Sequence, residues 1–572
     1  MLISMVVKTL SVLGVLLLGR GTYGDKSQLM VTTPLGVIEG YVGHSVNSQP
    51  FLKFEGIPYA KPPIGNLRFE EPQDPEPWKG IWKANVLTGC MQYDHFMTDY
   101  KNNYVVHGDE DCLHVNVYTH TIDPQAKLDV LVHIHGGAFM FGRGASYGPD
   151  IIMDRPIVFV NFNYRLGPLG FLSTEDNTLP GNMGLKDQIK ALEWVKKNIH
   201  LFGGNPNSIT LHGMSAGGAS VHLHYFLPES RGLFKHGISQ SGCALNPWVL
   251  AERVKEKALK VADLVGCPST GNSEETKKCL KSKPARHIVH AVGKLQPFLY
   301  NPFSPFGVVV DGQWAKKPVL PEHPYKLLTE GKVLDVPWMI SYTKDEGLYP
   351  ASDFWANEEH LKEIDSRWNE LLPFILHYNE TLPAELKNKV GQLIREQYMG
   401  DKPINRETFS SFVDIFSDRL FVSGIETAAR IQSQAVKSNI YCYQYNYRGS
   451  SSLSDLIIRS DTNIGVSHGD DTILILKLEV AFPKYELSTQ VDKQTSKLLI
   501  DITTSFMEKG APNISSTWPP VPKNPKDPFV ILLINKFDDL ELLPDADEGQ
   551  FHFWDQIPFE ENRRLFTPKV EL

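Results

Sequence analysis

The sequence predicts an α/β fold, a large and mainly parallel sheet flanked by helices. Three observations carry that expectation. Short β-branched runs recur along the chain, several almost wholly apolar, as strands covered on both faces are. Helical patterns of crossover length separate them, the order that parallel strands require. No repeat, low-complexity tract or Ser/Gly/Pro-rich linker divides the chain. Residues 25–572 therefore read as one domain, although length alone would suggest more.

In chain order, the first 24 residues stand apart. Lys8 precedes an apolar run from about Leu10 to Leu18, and Thr22 and Gly24 are placed for cleavage before Asp25. The run is too short to span a bilayer, so residues 1–24 read as a secretory signal peptide. No later segment offers ~18 uninterrupted apolar residues, which points to a soluble lumenal or extracellular protein without a transmembrane segment.

The runs LDVLVHIHG, PIVFVNFNYR, NSITLHG, KHGISQSG, VPWMISYT, NIYCYQYNY and PFVILLINK read as strands. Between the second and third, GLKDQIKALEWVKKNIHLFGG is helical. Leu185, Ile189, Leu192, Val195 and Ile199 step by three and four onto one face, and Gly203 and Gly204 stop the helix. The span from about Gly271 to Asn439 reads as mostly helical, with insertions above the sheet. The chain ends in KVEL, a variant of the endoplasmic-reticulum retrieval signal with Val where an acid is usual. Secretion and retention in the reticulum lumen both stay open.

Apolar residues make up 42% and charged residues 22%, ordinary values for a chain able to bury a sizeable core. The net charge is -9, and no basic stripe with interleaved aromatics occurs, so nucleic acid is not an expected partner. Cysteine usage fits an oxidising compartment. Cys90 with Cys112, and Cys267 with Cys279, would each close a short loop, but spacing alone does not choose among pairings. Cys243 and Cys442 read as thiols rather than a third bridge. Asn379 in NET and Asn513 in NIS are candidate glycosylation sites in a secreted chain. No CxxC or clustered His/Cys spacing suggests a metal.

The segment NSITLHGMSAGGASVHLHYF runs from strand through a knot of small residues into an apolar helix. A lone GxSxG is a weak signal, since an ordinary βα turn uses the same glycines. Its setting is what points to chemistry. A turn this tight demands small neighbours, which Gly213, Ala216 and Gly217 supply, and it lifts the Ser215 hydroxyl above the sheet at a helix start. A serine needs a base to become a nucleophile, and acyl transfer also needs donors for the oxyanion. In VHIHGGAFMFGRG, Gly136 and Gly137 follow a strand and let backbone N–H groups approach a developing O⁻; the N–H of Ala216 is the third candidate. The base is read as His468 in GVSHGDD, flanked by Gly465 and Gly469 and far downstream of Ser215. The acid should lie between them, where MISYTKDEGLY offers both Asp345 and Glu346, and spacing leaves that choice open.

These motifs resemble the type-B carboxylesterase/cholinesterase family of α/β-hydrolases, and within it insect secreted carboxylesterases. The resemblance runs from VTTPLGVIEG to the C-terminal region. It is carried by FEGIPYAKPPIGNLRF, EDCLHVNVY, HIHGGAF, NYRLGPLGFL, GNMGLKDQ, FGGNPNSITLHGMSAGGAS, ISQSG, DEG and GVSHGDD. It implies an α/β-hydrolase fold with helical insertions over an active-site gorge. It assigns Glu346 as the acid and His468 as the base. It places Ser241 in support near the histidine, pairs Cys90–Cys112 and Cys267–Cys279, and matches Arg68 with Glu110 and Arg165 with Asp187 as structural ion pairs. Three positions depart from the common pattern: Met214 where many relatives carry Glu, Ala138 where a third glycine is common, and His114 where Tyr or Thr is usual.

The implied activity is two-step hydrolysis of carboxylic esters through an acyl-enzyme, with no cofactor and no metal. Cholinesterases use a tryptophan inside the first disulfide loop as a cation–π platform. Here that loop carries Tyr93, Phe96, Tyr100 and Tyr104 but no Trp, which argues against acetylcholine. Trp248, Phe303 and Phe306 are candidates for an apolar acyl pocket, favouring hydrophobic or xenobiotic esters. Juvenile-hormone and odorant esters stay open, the first weakened by GMSAG in place of GQSAG. The rival reading is a non-catalytic, cholinesterase-like binding or adhesion protein, since fold does not fix function. Such relatives commonly lack a triad member, and this chain has all three.

Overall fold

The computed structural model describes residues 29–93, 95, 105–478, 487–514 and 517–561. Residues 1–24, read from the sequence as a signal peptide, the KVEL terminus and Phe96, Tyr100 and Tyr104 lie outside these residues. The described chain is organised around an 11-stranded sheet. Its strands, in chain order, are β1 (Tyr41–His44), β2 (Pro50–Pro58), β3 (His114–Thr119), β4 (Leu128–Ile134), β5 (Val158–Phe162) and β6 (Gly204–Met214). They continue with β7 (His236–Gln240), β8 (Trp338–Thr343), β9 (Ile440–Tyr445), β10 (Ile531–Lys536) and β11 (Asp539–Leu543).

Across the sheet the order is β11-β10-β9-β8-β7-β6-β4-β5-β3-β2-β1. Neighbours from β10 through β5 run parallel, and the pairs outside them run antiparallel. All seven runs expected as strands form this parallel block. The antiparallel strands carried a weaker signal because polar, charged or proline residues interrupt them, as in PFLKFEGIP and HVNVYT.

The parallel strands are apolar because both faces are covered. In β4, Val130, Val132 and Ile134 enter the core on one face, and Leu131 enters the opposite one. The second face is closed by helix Gln490–Lys509, through Leu499, Ile500 and Phe506. A capping box at Thr489 and Asp492 starts that helix, and Gly510, at φ 67, ends it. The helix expected after β5 forms over Met183–Asn198 and buries Leu185, Ile189, Leu192 and Val195. Gly203, at φ 76, breaks the following turn and returns the chain to β6.

The span from Gly271 to Asn439 is more than half helical, as the sequence suggested. Strand β8 lies inside it, and residues 296–323 form no helix. The latter stretch is rich in proline and aromatic residues, which pack without a helical period. Both expected disulfides, Cys90–Cys112 and Cys267–Cys279, are present, and Cys243 and Cys442 are buried free thiols. The ion pairs also form. Arg68 Nε and Nη2 grip Glu110 at 2.6 and 2.7 Å, and Arg165 grips Asp187 at 2.7 and 2.8 Å. Asn513 is exposed; Asn379 is half-buried and accepts a hydrogen bond from Lys387 at 2.8 Å. Among the described residues, no helix is long and apolar enough to cross a membrane.

Candidate active site

The site stands at the C-terminal end of β6. The strand stops at Met214, Ser215 takes φ 60 and ψ −125, and a helix runs from Ala216 to His224. That conformation is strained for a residue with a side chain, and the packing around it holds it. The Ser215 N–H donates to the Gln240 C=O at 2.8 Å, and its own C=O accepts the Ala219 N–H at 2.9 Å. A Cβ on Gly217 would lie 1.9 Å from the Ile134 oxygen, and one on Gly213 2.3 Å from the Gly217 carbonyl carbon. Both positions therefore admit only hydrogen. Serine is a favoured helix cap, yet Ser215 makes no side-chain cap here, so its hydroxyl stays out of the helix.

The glycine loop after β4 passes against this turn. A Cβ on Gly136 would meet the Met214 oxygen at 2.6 Å and the Ser215 Cβ at 3.0 Å. Gly137 has φ 110, and Ala138 and Phe139 follow at φ 55 and 60. The loop is pinned at both sides: Met140 and Phe141 donate to the Gly137 carbonyl at 2.8 and 2.9 Å. The Tyr164 hydroxyl donates to the His135 carbonyl at 3.0 Å. Burial pushes the His135 imidazole down to about 4, leaving a neutral ring beside the loop at neutral pH.

His468 and Glu346 come together from distant loops. His468 Nδ1 and Glu346 Oε2 are 2.5 Å apart, and both side chains are buried. Glu346 Oε1 accepts from the Ser241 hydroxyl at 2.6 Å and from the Thr343 N–H at 2.7 Å. The opposite ring nitrogen, His468 Nε2, is buried without a hydrogen-bond partner. Asp345, the alternative acid, turns the other way. Its Oδ2 accepts the Val466 N–H at 2.7 Å and so holds the loop that carries His468. Ser241 braces the glutamate rather than the histidine.

Two rings pack on His468 that the sequence reading did not single out. Tyr349 stacks at 5.5 Å and 20°, and Phe421 lies 4.6 Å away. Tyr349 sits three residues after Glu346, a clue within the motif. Phe421 had no local signal, because a buried π-helical turn over Asp418–Val422 presents it. That turn also supplies the Leu420 carbonyl that accepts the Trp248 indole N–H at 2.8 Å. Trp248 therefore lies beside the site, 5.9 Å from both Phe303 and Phe421. Phe306 is fully buried, and no ring contact links it to this cluster.

Among the described residues, no group of His, Cys, Asp and Glu is placed to hold a metal ion. What is assembled is a strained serine, a glycine loop against it, and a carboxylate–imidazole pair with one ring nitrogen unengaged. Known proteins resemble the chain over nearly its whole length. The carboxylesterase family model matches residues 27–548. Venom carboxylesterase-6 of Apis mellifera is 41% identical over 547 residues, 95% of this chain and 96% of that one. Esterase FE4 of Myzus persicae is 41% identical over 505 residues, 86% of this chain and 87% of its own. The juvenile hormone esterase of Manduca sexta, solved with OTFP covalently attached, superposes with a TM-score of 0.79 at 25% identity, covering 92% of this chain and 99% of that one. With a family match across nearly its whole length and relatives this similar, the chain belongs to the carboxylesterase family and is a carboxylic-ester hydrolase.

Proposed function

We propose that this hydrolase works through a Ser215–His468–Glu346 triad on hydrophobic carboxylic esters. The observation that carries the reading is the 2.5 Å contact between Glu346 and His468 Nδ1, which leaves Nε2 as the basic nitrogen. Ser215 Oγ attacks the ester carbonyl while Nε2 takes its proton. The N–H groups of Gly136, Gly137 and Ala216 receive the developing O⁻. The C–O bond to the alcohol breaks as Nε2 returns the proton to the leaving oxygen. Water then repeats the sequence on the acyl-serine, releasing the acid. A covalent ligand on the similar Manduca sexta esterase agrees with a nucleophilic route. The aromatic cluster of Trp248, Phe303 and Phe421 favours apolar acyl groups. Passage through the secretory pathway is the compartment that the two disulfides suit, with Asn379 and Asn513 as its glycan acceptors.

The test is hydrolysis of p-nitrophenyl acetate and of a longer-chain ester by the purified protein. A burst of p-nitrophenol stoichiometric with enzyme, with faster turnover of the longer ester, is the expected result. Turnover of either ester that survives Ser215→Ala would overturn the acyl-enzyme reading.

The oxyanion assignment has its own prediction. A methyl group on Gly137 would lie 2.1 Å from the Phe141 oxygen, at a φ of 110 that only glycine adopts freely. Gly137→Ala is expected to lower kcat by about 10²–10³-fold, the usual loss for one oxyanion donor. A Gly137→Ala enzyme with wild-type kcat would remove this N–H from the mechanism.

A further inference from the structure

We propose that Gln240 is a positioning residue that sets the spacing between the Ser215 turn and the His468 loop; the inference rests on the triad reading above. Gln240 ends β7 and is buried. Its backbone carbonyl accepts the Ser215 N–H at 2.8 Å. Its side chain reaches the other arm. Nε2 donates to Asp471 Oδ2 at 2.8 Å and lies 3.1 Å from the Tyr443 hydroxyl oxygen, while Oε1 accepts the Thr472 hydroxyl at 2.9 Å. Asp471 and Thr472 follow His468 by three and four positions. One residue thus touches both the Ser215 turn and the segment that follows His468.

The chemistry of the contacts requires an amide. A carboxylate on one side needs donors, and a hydroxyl on the other needs an acceptor. The neighbouring residues act on the same group. Ser241 holds Glu346, and a Cβ on Gly242 would lie 2.2 Å from the Ser215 carbonyl oxygen, so the two segments pack backbone to backbone. Three consecutive residues, Gln240, Ser241 and Gly242, therefore each fix a different part of the site. Strand register extends the brace sideways. Gln240 pairs with Met214 on one side and Ser341 on the other, and Ser341 pairs with Tyr443. Ser341 and Tyr443 also donate to Asp471 Oδ2, at 3.2 and 3.0 Å. Burial still pushes Asp471 up to about 6, so its contacts depend on donors that Gln240 supplies in part.

Gln240→Met keeps the length and apolar stem and removes the side-chain hydrogen bonds. Thr472→Val removes the donor to Oε1 and the longer 3.4 Å contact with Asp471 Oδ1. A misplacement near 1 Å at the reacting atoms costs on the order of 10² in rate. Gln240→Met is therefore expected to lower the acylation rate by about that factor with KM unchanged, and Thr472→Val by a smaller factor in the same direction. Acylation is read by single-turnover release of p-nitrophenol from p-nitrophenyl acetate. The double variant should fall no further than Gln240→Met alone, because the two residues act as one link. Wild-type acylation in folded Gln240→Met, or a double variant whose losses multiply, would overturn the proposal. If Gln240→Met does not fold, Thr472→Val decides alone, and wild-type acylation there overturns it. Ser215→Ala in the same assay separates the two levels: activity surviving that change sinks the triad reading and the brace with it, whereas wild-type acylation in Gln240→Met sinks the brace alone.

Discussion

Ser215→Ala is expected to lower kcat by about 10⁶-fold, the loss seen when a triad serine is removed from a comparable site. KM should change little, since the hydroxyl contributes to bond formation rather than to holding the substrate. The fold should be unaffected. Alanine keeps the Cβ, so the turn at φ 60 and ψ −125 is no more strained than before. The hydroxyl makes no helix cap whose loss would register. Ser215→Gly provides the control with the opposite sign for stability. Removing the Cβ relieves strain of about 1–3 kcal/mol, of which glycine's added chain entropy takes back roughly 0.5–1 kcal/mol. That variant should be as inactive as the alanine and slightly more stable, by thermal or denaturant melting. An alanine variant retaining more than a small residue of turnover would place the nucleophile elsewhere.

Glu346→Gln is the second large effect, on the order of 10⁴-fold in kcat, and the reason is the tautomer that the buried amide would impose. In the native site every contact of the carboxylate is an acceptor's. Oε1 takes the Ser241 hydroxyl and the Thr343 N–H, and Oε2 faces His468 Nδ1. A glutamine must place an NH₂ on one side. Set toward Thr343, it opposes a backbone N–H that cannot turn away. Set toward His468, it donates to Nδ1 and forces the ring proton onto Nε2, the nitrogen that must accept from Ser215. The second arrangement costs less, so the enzyme folds and loses its base. The lost negative charge also withdraws support from the imidazolium that forms during acylation. The measurement is kcat and KM beside a melting curve. A Glu346→Gln enzyme within tenfold of wild type would point to another orienting group, and Asp345 is the adjacent candidate to remove next.

The runs read as strands became the parallel centre of the sheet because a two-sided burial environment demands continuous apolar sequence. Ser215, Gly136 and Gly137 were readable for a related reason. Turns this tight exclude side chains, so the glycines are written into the local sequence. The disulfide pairs followed from family resemblance rather than from spacing. The choice between Asp345 and Glu346 did not follow from spacing, and it was the family resemblance of the DEG motif that assigned Glu346. Both are acids on one loop, and only the fold shows Asp345 spent on the Val466 N–H while Glu346 faces the imidazole. Trp248 lies near His468, through Phe421, but Phe306 has no comparable link.

By itself the sequence determined the fold class, the parallel strands, the nucleophile turn and the glycine loop. Each of these is set by residues a few positions apart, through side-chain period, volume and backbone freedom. Only the tertiary structure showed Asp345 turned away and Glu346 set against His468, and decided which rings pack on that histidine and how Gln240 joins the serine turn to the histidine loop. Those contacts span 122 positions between Glu346 and His468, and 231 between Gln240 and Asp471. Strand order and the π-helical turn at Asp418–Val422 set them, and neither leaves a periodic trace in the chain.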